Sequence, residues 1–351
     1  MKNVPAGTED WFAGSKLTCY HLRFFMNDSS LPEALRALAS ARTIGLISHE
    51  RPDGDALGSC LGLAHGLRAR GQTVHIWNED GVSRLFRFLP GAEGVTHTPE
   101  QPIPVDLVVA LDCSTRERLG RKFLQWGRAV DLNVDHHVSN TRYAKVNVVR
   151  PDLPSTASLV QEMMETGSIP LGPESASCLF VGVSTDTGSF RYRGTTPETF
   201  RAAARLAEAG ADVAELARLC YQSLTPERFN LGRAFLGKAE FDCGGRLAVG
   251  FLDPAMFTDT GANPEDTEGL VERLLEIGPV VVSALFEIRG PDQLKVSLRS
   301  KGAVDVSALA GRFGGGGHPG AAGINWKGDP AEGTKTIRAA LCETVNALPA
   351  T

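Results

Sequence analysis

TIGLISHERPDGDALGSCLGLAHGLRARGQTVHIW, residues 43–77, decides the fold. TIGLIS (43–48) is apolar, partly β-branched and short, which predicts a buried strand. ALGSCLGLAHGLRARG (56–71) is apolar at helical spacing and closes on Gly71, a residue suited to the left-handed end of a helix. TVHIW (73–77) is a second strand. Strand, helix and strand in direct succession demand a crossover and therefore a parallel sheet covered on both faces. In such sheets ligands bind beyond the carboxyl ends of the strands. That end of the first strand carries SHERPDGDALGS (48–59), with His49, Asp53 and Asp55 within seven residues. Two explanations are open there. One is a metal site; the other is a turn at Asp53-Gly54 followed by a helix capped by Asp55.

The same alternation continues. DLVVAL (106–111) and AVDLNV (129–134) read as further buried strands, and CLFVGVS (178–184) fits helix or strand. Residues 197–240 read as all-helical, closing one domain and leading to the next. Strands are then expected at RLAVGFLD (246–253), VVVSALFEI (280–288), QLKVSLRS (293–300) and INW (324–326). Helices are expected at 264–277, at VDVSALAGRF (304–313) and at 330–348. The expected fold class is α/β: a parallel-sheet N-terminal domain plus a smaller mixed α/β C-terminal domain, with the active site in the cleft between them. Residues 1–29 show no pattern and read as an N-terminal extension, with Met26 an alternative start; order begins at the capping box Ser30–Glu33. The expected divisions are 30–205, a helical linker at 206–240, and 241–351.

The bulk composition narrows the class. The chain has 351 residues, 42% hydrophobic and 22% charged, enough for two domains with substantial cores. A net charge of -5 argues against binding long duplex nucleic acid, which needs a basic face. Seven scattered cysteines without a C-x-x-C pair read as reduced thiols and point to a cytoplasmic protein. No apolar run approaches the ~18 residues of a membrane span, and the N-terminus does not read as a signal peptide.

Acids and histidines then fall at equivalent places. His49 follows the first strand, Asp112 follows DLVVAL, Asp135, His136 and His137 follow AVDLNV, and Asp186 follows CLFVGVS. If the strands are parallel, these ends converge, and His49, Asp53, Asp55, Asp112, His136 and Asp186 share one edge of the sheet. Crowded carboxylates need compensating positive charge. Imidazole with hard oxygen suits Mn²⁺ ahead of Mg²⁺, Fe²⁺ or Co²⁺, and so many ligands fit two ions better than one. Each residue alone has a plain explanation as turn, cap or structural histidine; their joint occurrence at four element ends favours the metal site. A second feature is Arg299 with GRFGGGGHPGAAG (311–323). The backbone of Gly314, Gly315, Gly316 and Gly317 can approach an anion closely, and Arg299 and His318 can hold a phosphate. The alternative is a flexible loop between a helix and a strand.

These motifs resemble, in order and spacing, those of the DHH phosphoesterases: HERPDGD (49–55), Asp112, DHH (135–137) and DTGSF (186–190), with GGGGHPGAAG (314–323) similar to the closing motif of the DHH-associated C-terminal domain. Length and two-domain plan look most like the nanoRNase/pAp-phosphatase (NrnA-type) subfamily. The resemblance implies one Mn²⁺ on His49, Asp53 and Asp112, and a second on Asp55, Asp112, His136 and Asp186, with Mg²⁺ or Co²⁺ as substitutes. It implies that Asp112 bridges, that Asp135 orients an imidazole and that His137 stabilises charge on the substrate phosphate. Arg299, Gly314–Gly317 and His318 would hold a remote phosphate and so favour very short substrates. Implied substrates are short RNA or DNA oligonucleotides, 3′-phosphoadenosine 5′-phosphate (pAp) and cyclic-dinucleotide products; a homodimer is a family expectation. Arg191 and Arg193 are candidates for substrate contact, with plain surface roles as the alternative. Relatives often carry an acidic residue where this chain reads Ser155-Thr-Ala-Ser158, so that segment receives no catalytic role. The rival readings are a family II-type pyrophosphatase, a RecJ-like exonuclease and an inactive nucleotide-binding sensor.

Overall fold

The computed structural model describes residues 30–192 and 194–349. The extension at 1–29, with Met26, and the candidate Arg193 lie outside the described residues. Two compact units form, one from the chain up to Val82 together with Leu89–Ala211, the other from Ser83–Phe88 and Asp212 onward.

In the first unit α1 (Ser30–Ser40) precedes β1 (Thr43–Ile47), α2 (Gly54–Ala69), β2 (Thr73–Asn78), β3 (Val95–His97) and β4 (Leu107–Leu111). It is completed by α3 (Arg121–Gln125), β5 (Leu132–Asp135), β6 (Val146–Val149), α4 (Thr156–Thr166), α5 (Pro173–Asp186) and α6 (Pro197–Glu208). The strand order is β3-β2-β1-β4-β5-β6, and every pair is parallel. The chain moves outward from β1 to β3, then returns to place β4 on the other side of β1. That reversal leaves a crevice at the carboxyl ends of β1 and β4, the place where such sheets take ligands. All five residues of β4 are buried, as expected of a strand covered on both faces.

Helix packing brings the remaining acids to that crevice. Thirteen of the sixteen residues of α2 are buried, so the helix has no solvent face. Gly58, Gly62 and Gly66 recur at four-residue spacing along it. A Cβ at Gly58 would stand 2.4 Å from the Cys178 carbonyl oxygen, and one at Gly62 would stand 2.6 Å from Leu179 Cγ. Only glycine lets α5 approach so closely. CLFVGVS, open between helix and strand in the sequence, is therefore the interior of α5. Asp186 comes to the site from a helix C-terminus, whereas the other ligand candidates follow strands or start a helix.

The second unit holds α7 (Val213–Tyr221), α8 (Pro226–Gly237), β7 (Glu240–Asp242), β8 (Leu247–Leu252), α9 (Pro254–Thr260) and α10 (Leu270–Leu275). After these come β9 (Val282–Gly290), β10 (Gln293–Ser300), α11 (Val306–Gly311), β11 (Gly316–His318), β12 (Ala321–Lys327) and α12 (Pro330–Asn346). Its sheet runs β11-β12-β10-β9-β8-β7 and is antiparallel except for β8 with β9. Alternate residues of β8 serve two cores. Leu247 and Val249 pack with Ile337 and Leu341 of α12, and Ala248 and Leu252 with Phe235 of α8 and Leu274 of α10. The α/β class with a parallel and a mixed sheet is thus as expected. Among the described residues no helix is long and apolar enough to cross a membrane.

Candidate active site

The site grows from four chain segments of the first unit. At the end of β1, His49 Nδ1 lies 2.8 Å from the Glu50 carbonyl oxygen. A carbonyl only accepts, so Nδ1 carries a hydrogen and Nε2 is the nitrogen turned to the carboxylates, donating to Asp112 in the metal-free protein and able to give its lone pair to a cation. Nε2 faces Asp112 Oδ2 at 3.5 Å and Asp53 Oδ2 at 3.8 Å. His136 repeats the device: Nδ1 is 3.3 Å from the Leu153 carbonyl oxygen, and Nε2 faces Asp186 Oδ2 at 3.3 Å, Asp112 Oδ1 at 3.8 Å and Asp55 Oδ2 at 3.9 Å. A backbone carbonyl behind each ring and carboxylates spaced beyond contact in front of it form the donor pattern of a cation site. Asp112 presents one oxygen to each histidine, which is what a bridging carboxylate requires. Two groups, His49 with Asp53 and Asp112, and Asp55 with Asp112 and His136, bring their donor atoms within 4.8 Å of one another and could each hold an ion.

Asp112 reaches this position through an unusual backbone. Its φ is +54°, in the left-handed region that costs a non-glycine residue energy and clusters at functional sites. After Thr187, which follows Asp186 with φ of -88°, Gly188, Ser189 and Phe190 have positive φ at 56°, 59° and 62°. The DTGSF motif is thus a left-handed turn that stops α5 at its acidic end.

The cap assignment changes. Asp53, not Asp55, caps α2: its Oδ1 accepts from the Asp55 and Ala56 amides at 3.1 and 3.0 Å. Asp55 is the second residue of the helix, in its first turn, and is buried, with its carboxylate on the start of α4. Oδ2 accepts from the Thr156 amide at 2.7 Å and Oδ1 from the Ala157 amide at 2.8 Å. Thr156 Oγ1 donates to Asp112 Oδ1 at 2.9 Å. The Ser155–Ser158 segment therefore positions two ligand candidates with helix N-terminal amides and a hydroxyl. The sequence signal was present: Ser155 and Thr156 open an apolar helix, and a helix start has amides to give.

The electrostatics follow from burial and crowding. Desolvation, with the charges of Asp112 and Asp186, pushes the Asp55 carboxyl well above its ordinary range. Desolvation with Asp112 and Asp53 does the same to Asp186. For Asp112 burial also acts upward, but the hydrogen bond from His49 and the charges of His137, His49 and His136 overcome it and hold the carboxyl below its usual range. Burial would lower His137, yet its Asp135 hydrogen bond and the charges of Asp112 and Asp135 raise it to about 9. Two carboxyls pushed up around one held down show a pocket short of positive charge, which divalent cations supply.

The other expected contacts are placed as follows. Asp135 is buried and accepts from His137 Nδ1 at 2.8 Å, so it orients that ring. Arg191 is exposed and its Nε donates to the Gly188 carbonyl at 2.6 Å. In the second unit Arg299 Nε donates to Glu272 Oε1 at 2.6 Å. The amides of Gly314 and Gly315 donate to Gly311 and Ala310 carbonyls at 3.2 and 2.9 Å, closing α11, and so are spent within the chain. The glycine run, a flexible loop in the alternative reading, is in part a strand, since Gly316–His318 pairs with Ala321–Gly323.

The chain is similar to known proteins over most of its length. Residues 43–183 match the DHH family, N-terminal domain, and residues 244–347 match the DHHA1 domain. The chain belongs to the DHH family. It is 35% identical over 310 residues to the bifunctional oligoribonuclease and PAP phosphatase NrnA of Thermus thermophilus, covering 87% of this chain and 90% of that one. It is 27% identical over 297 residues to the protein of the same name from Bacillus subtilis, covering 84% and 92%. Among solved structures, an exopolyphosphatase-related protein from Bacteroides fragilis superposes with a TM-score of 0.81 at 24% identity, over 90% of this chain and 96% of that one, which shows a shared fold.

Proposed function

We propose that this protein is a Mn²⁺-dependent phosphoesterase that hydrolyses short oligonucleotides and pAp. The observation that carries the reading is the bridging disposition of Asp112, one oxygen toward His49 and the other toward His136, at the switch point of a parallel sheet. The relatives named oligoribonuclease and PAP phosphatase set the substrate class. His49, Asp53 and Asp112 would hold one ion, and Asp55, Asp112, His136 and Asp186 the other. When bound, such a pair lowers the pKa of water and offsets the charge of a phosphoryl group under in-line attack.

The chain's own residues do the rest. His137, with Nδ1 committed to Asp135, keeps its proton at neutral pH and offers Nε2–H to a phosphoryl oxygen. The α4 amides keep Asp55 fixed, so the acid-rich pocket is organised before substrate arrives. In the second unit Arg299, the Gly314–Gly317 segment and His318 are the proposed contacts for a second substrate phosphate. The Gly314 and Gly315 amides are spent and Gly316–His318 pairs with β12, so the glycine segment's share falls to groups that this pairing leaves unused, and Arg299 must share its guanidinium with Glu272. Arg191 is a proposed contact in the first unit. The reading also takes the enzyme as cytoplasmic, able to form a homodimer and indifferent to long duplex nucleic acid.

The test offers pAp, pApA, cyclic di-AMP, a 24-mer and pyrophosphate to the enzyme with Mn²⁺. Asp112→Ala should abolish hydrolysis of pAp and pApA. Pyrophosphate as best substrate overturns the substrate class; undiminished activity in Asp112→Ala overturns the two-ion arrangement.

A further inference from the structure

Behind Asp112 and Asp135 lies a partly buried polar network that the proposed mechanism does not use. Asn140 is its hub. Its Nδ2 donates to Asp135 Oδ2 at 2.6 Å and to Asn133 Oδ1 at 2.7 Å, and lies 3.4 Å from the Cys113 carbonyl oxygen. Its Oδ1 accepts from the Arg142 amide at 2.7 Å, which settles which end of the side chain is the donor. Asn133 Nδ2 donates to the Cys113 carbonyl at 3.3 Å and to Tyr143 Oη at 3.3 Å, and Tyr143 Oη donates to the same carbonyl at 3.0 Å. Asn133, Tyr143 and, at the longest distance, Asn140 thus converge on the carbonyl of Cys113, the residue after Asp112.

That convergence has a mechanical meaning. Asp112 has φ of +54°, and a residue held there needs surroundings that over-determine it. Donors on the Cys113 carbonyl fix the Cys113–Ser114 peptide, one residue beyond Asp112, and the Asp112 amide is tied to the Val134 carbonyl at 3.0 Å, so the strained residue is held from both sides. On its other side Asn140 occupies Asp135 Oδ2, leaving Oδ1 for the His136 amide at 2.8 Å, the His137 amide at 3.3 Å and His137 Nδ1 at 2.8 Å. Asn140 therefore holds directly the carboxylate that aims His137 and, through Asn133, the Cys113 carbonyl beside the strained turn that aims Asp112.

We infer that Asn140 is a positioning residue that couples Asp112 to the Asp135–His137 pair, with Asn133 and Tyr143 as its supports. The inference rests on the phosphoesterase reading for its activity readout, and on Mn²⁺ binding for an independent one. Asn140→Ala removes the donor. Asn140→Asp keeps the shape but sets a carboxylate oxygen against Asp135 Oδ2. Asn140→Ser keeps a short donor. Tyr143→Phe removes one support and leaves Asp135 untouched.

Full-length variants are compared by metal-free melting, Mn²⁺ calorimetry, and kcat and KM for pApA. Asn140→Ala should lower kcat at least 30-fold with KM within threefold, and weaken Mn²⁺ binding about tenfold. Asn140→Asp should lose more, Asn140→Ser should recover part, and Tyr143→Phe should lose less than fivefold. If Asn140→Ala or Asn140→Asp keeps kcat and Mn²⁺ affinity within threefold of the parent, the inference is overturned. If Asn140→Ala does not fold, Asn140→Ser and Asn140→Asp decide it by the same limits. If the parent hydrolyses neither pApA nor pAp, the functional reading fails, and the Mn²⁺ affinities alone decide the role of Asn140.

Discussion

Gly58→Ala tests whether the contact between α2 and α5 builds the site. Two effects oppose each other. Alanine in a helix interior is favoured over glycine by about 1 kcal/mol. Against this, the new Cβ would stand 2.4 Å from the Cys178 carbonyl oxygen and 3.0 Å from Gly182 N, both backbone atoms that no rotamer change can move. Relief needs the helices to part by about 1 Å, and overpacking of this kind costs about 1–3 kcal/mol or more. Because both clashes are with backbone, the upper part of that range applies and overpacking wins, with a net loss of up to about 2 kcal/mol, or up to about 8 °C in the melting of the N-terminal unit. Separation also draws Asp53 and Asp55, at the start of α2, away from Asp186 at the end of α5. A displacement near 1 Å at reacting groups costs about 100-fold in rate. Gly62→Ala meets chiefly the flexible Leu179 side chain, at 2.6 Å, and should lose less. Gly237→Ala, with nothing within 4 Å, should gain slightly. Melting by scanning fluorimetry and kcat for pApA give the order Gly237→Ala, Gly62→Ala, Gly58→Ala from best to worst. A Gly58→Ala enzyme that melts higher than its parent and keeps kcat would refute the reasoning.

Three further outcomes follow from the same geometry. Thr156→Val removes the hydroxyl on Asp112 Oδ1, a hydrogen bond to a charged group contributing about 1.5–3 kcal/mol, and should lower the melting temperature by about 3–10 °C, while Thr156→Ser should keep most of it; equal melting of Val and Ser variants would show the hydroxyl idle. In the metal-free protein the raised carboxyls of Asp55 and Asp186 bind protons more tightly than in the unfolded chain, so their contribution falls as pH climbs above about 4. The raised His49 and His137 contribute fully below about pH 6.5 and lose that contribution as pH passes their folded values, about 9 for His137, whereas the lowered Asp112 loses its contribution only as pH falls below about 4. Chelated protein should therefore melt lower at pH 9 than at pH 5, and saturating Mn²⁺ should reverse the trend because ligands bind metal deprotonated; a chelated protein that gains stability from pH 5 to 9 contradicts this. Glu272→Gln frees the Arg299 guanidinium, so KM for pAp should fall if Arg299 holds a phosphate, and an unchanged KM with lower melting would mark the pair as structural.

Much of this protein is written locally in its sequence. Apolar β-branched runs named β1, β2 and β4 to within a residue or two at each end, because a strand buried on both faces must be apolar throughout. The acids and histidines after those runs marked the site, because a parallel sheet delivers every strand end to one edge. Other features depended on partners distant in the chain. β3, β6, β7 and β11 are three or four residues long and exist through pairing with neighbours, which leaves no period to read. CLFVGVS is equally apolar as helix or strand, and only the glycine stripe of α2 admits it as a helix. Asp53 takes the cap because Asp55 is drawn inward onto amides about a hundred residues away. Composition and periodicity determined the layers and the ligand types. Which oxygen of Asp112 faces which imidazole was decided by packing and hydrogen bonds between remote segments, which hold a costly backbone angle that no local preference would select.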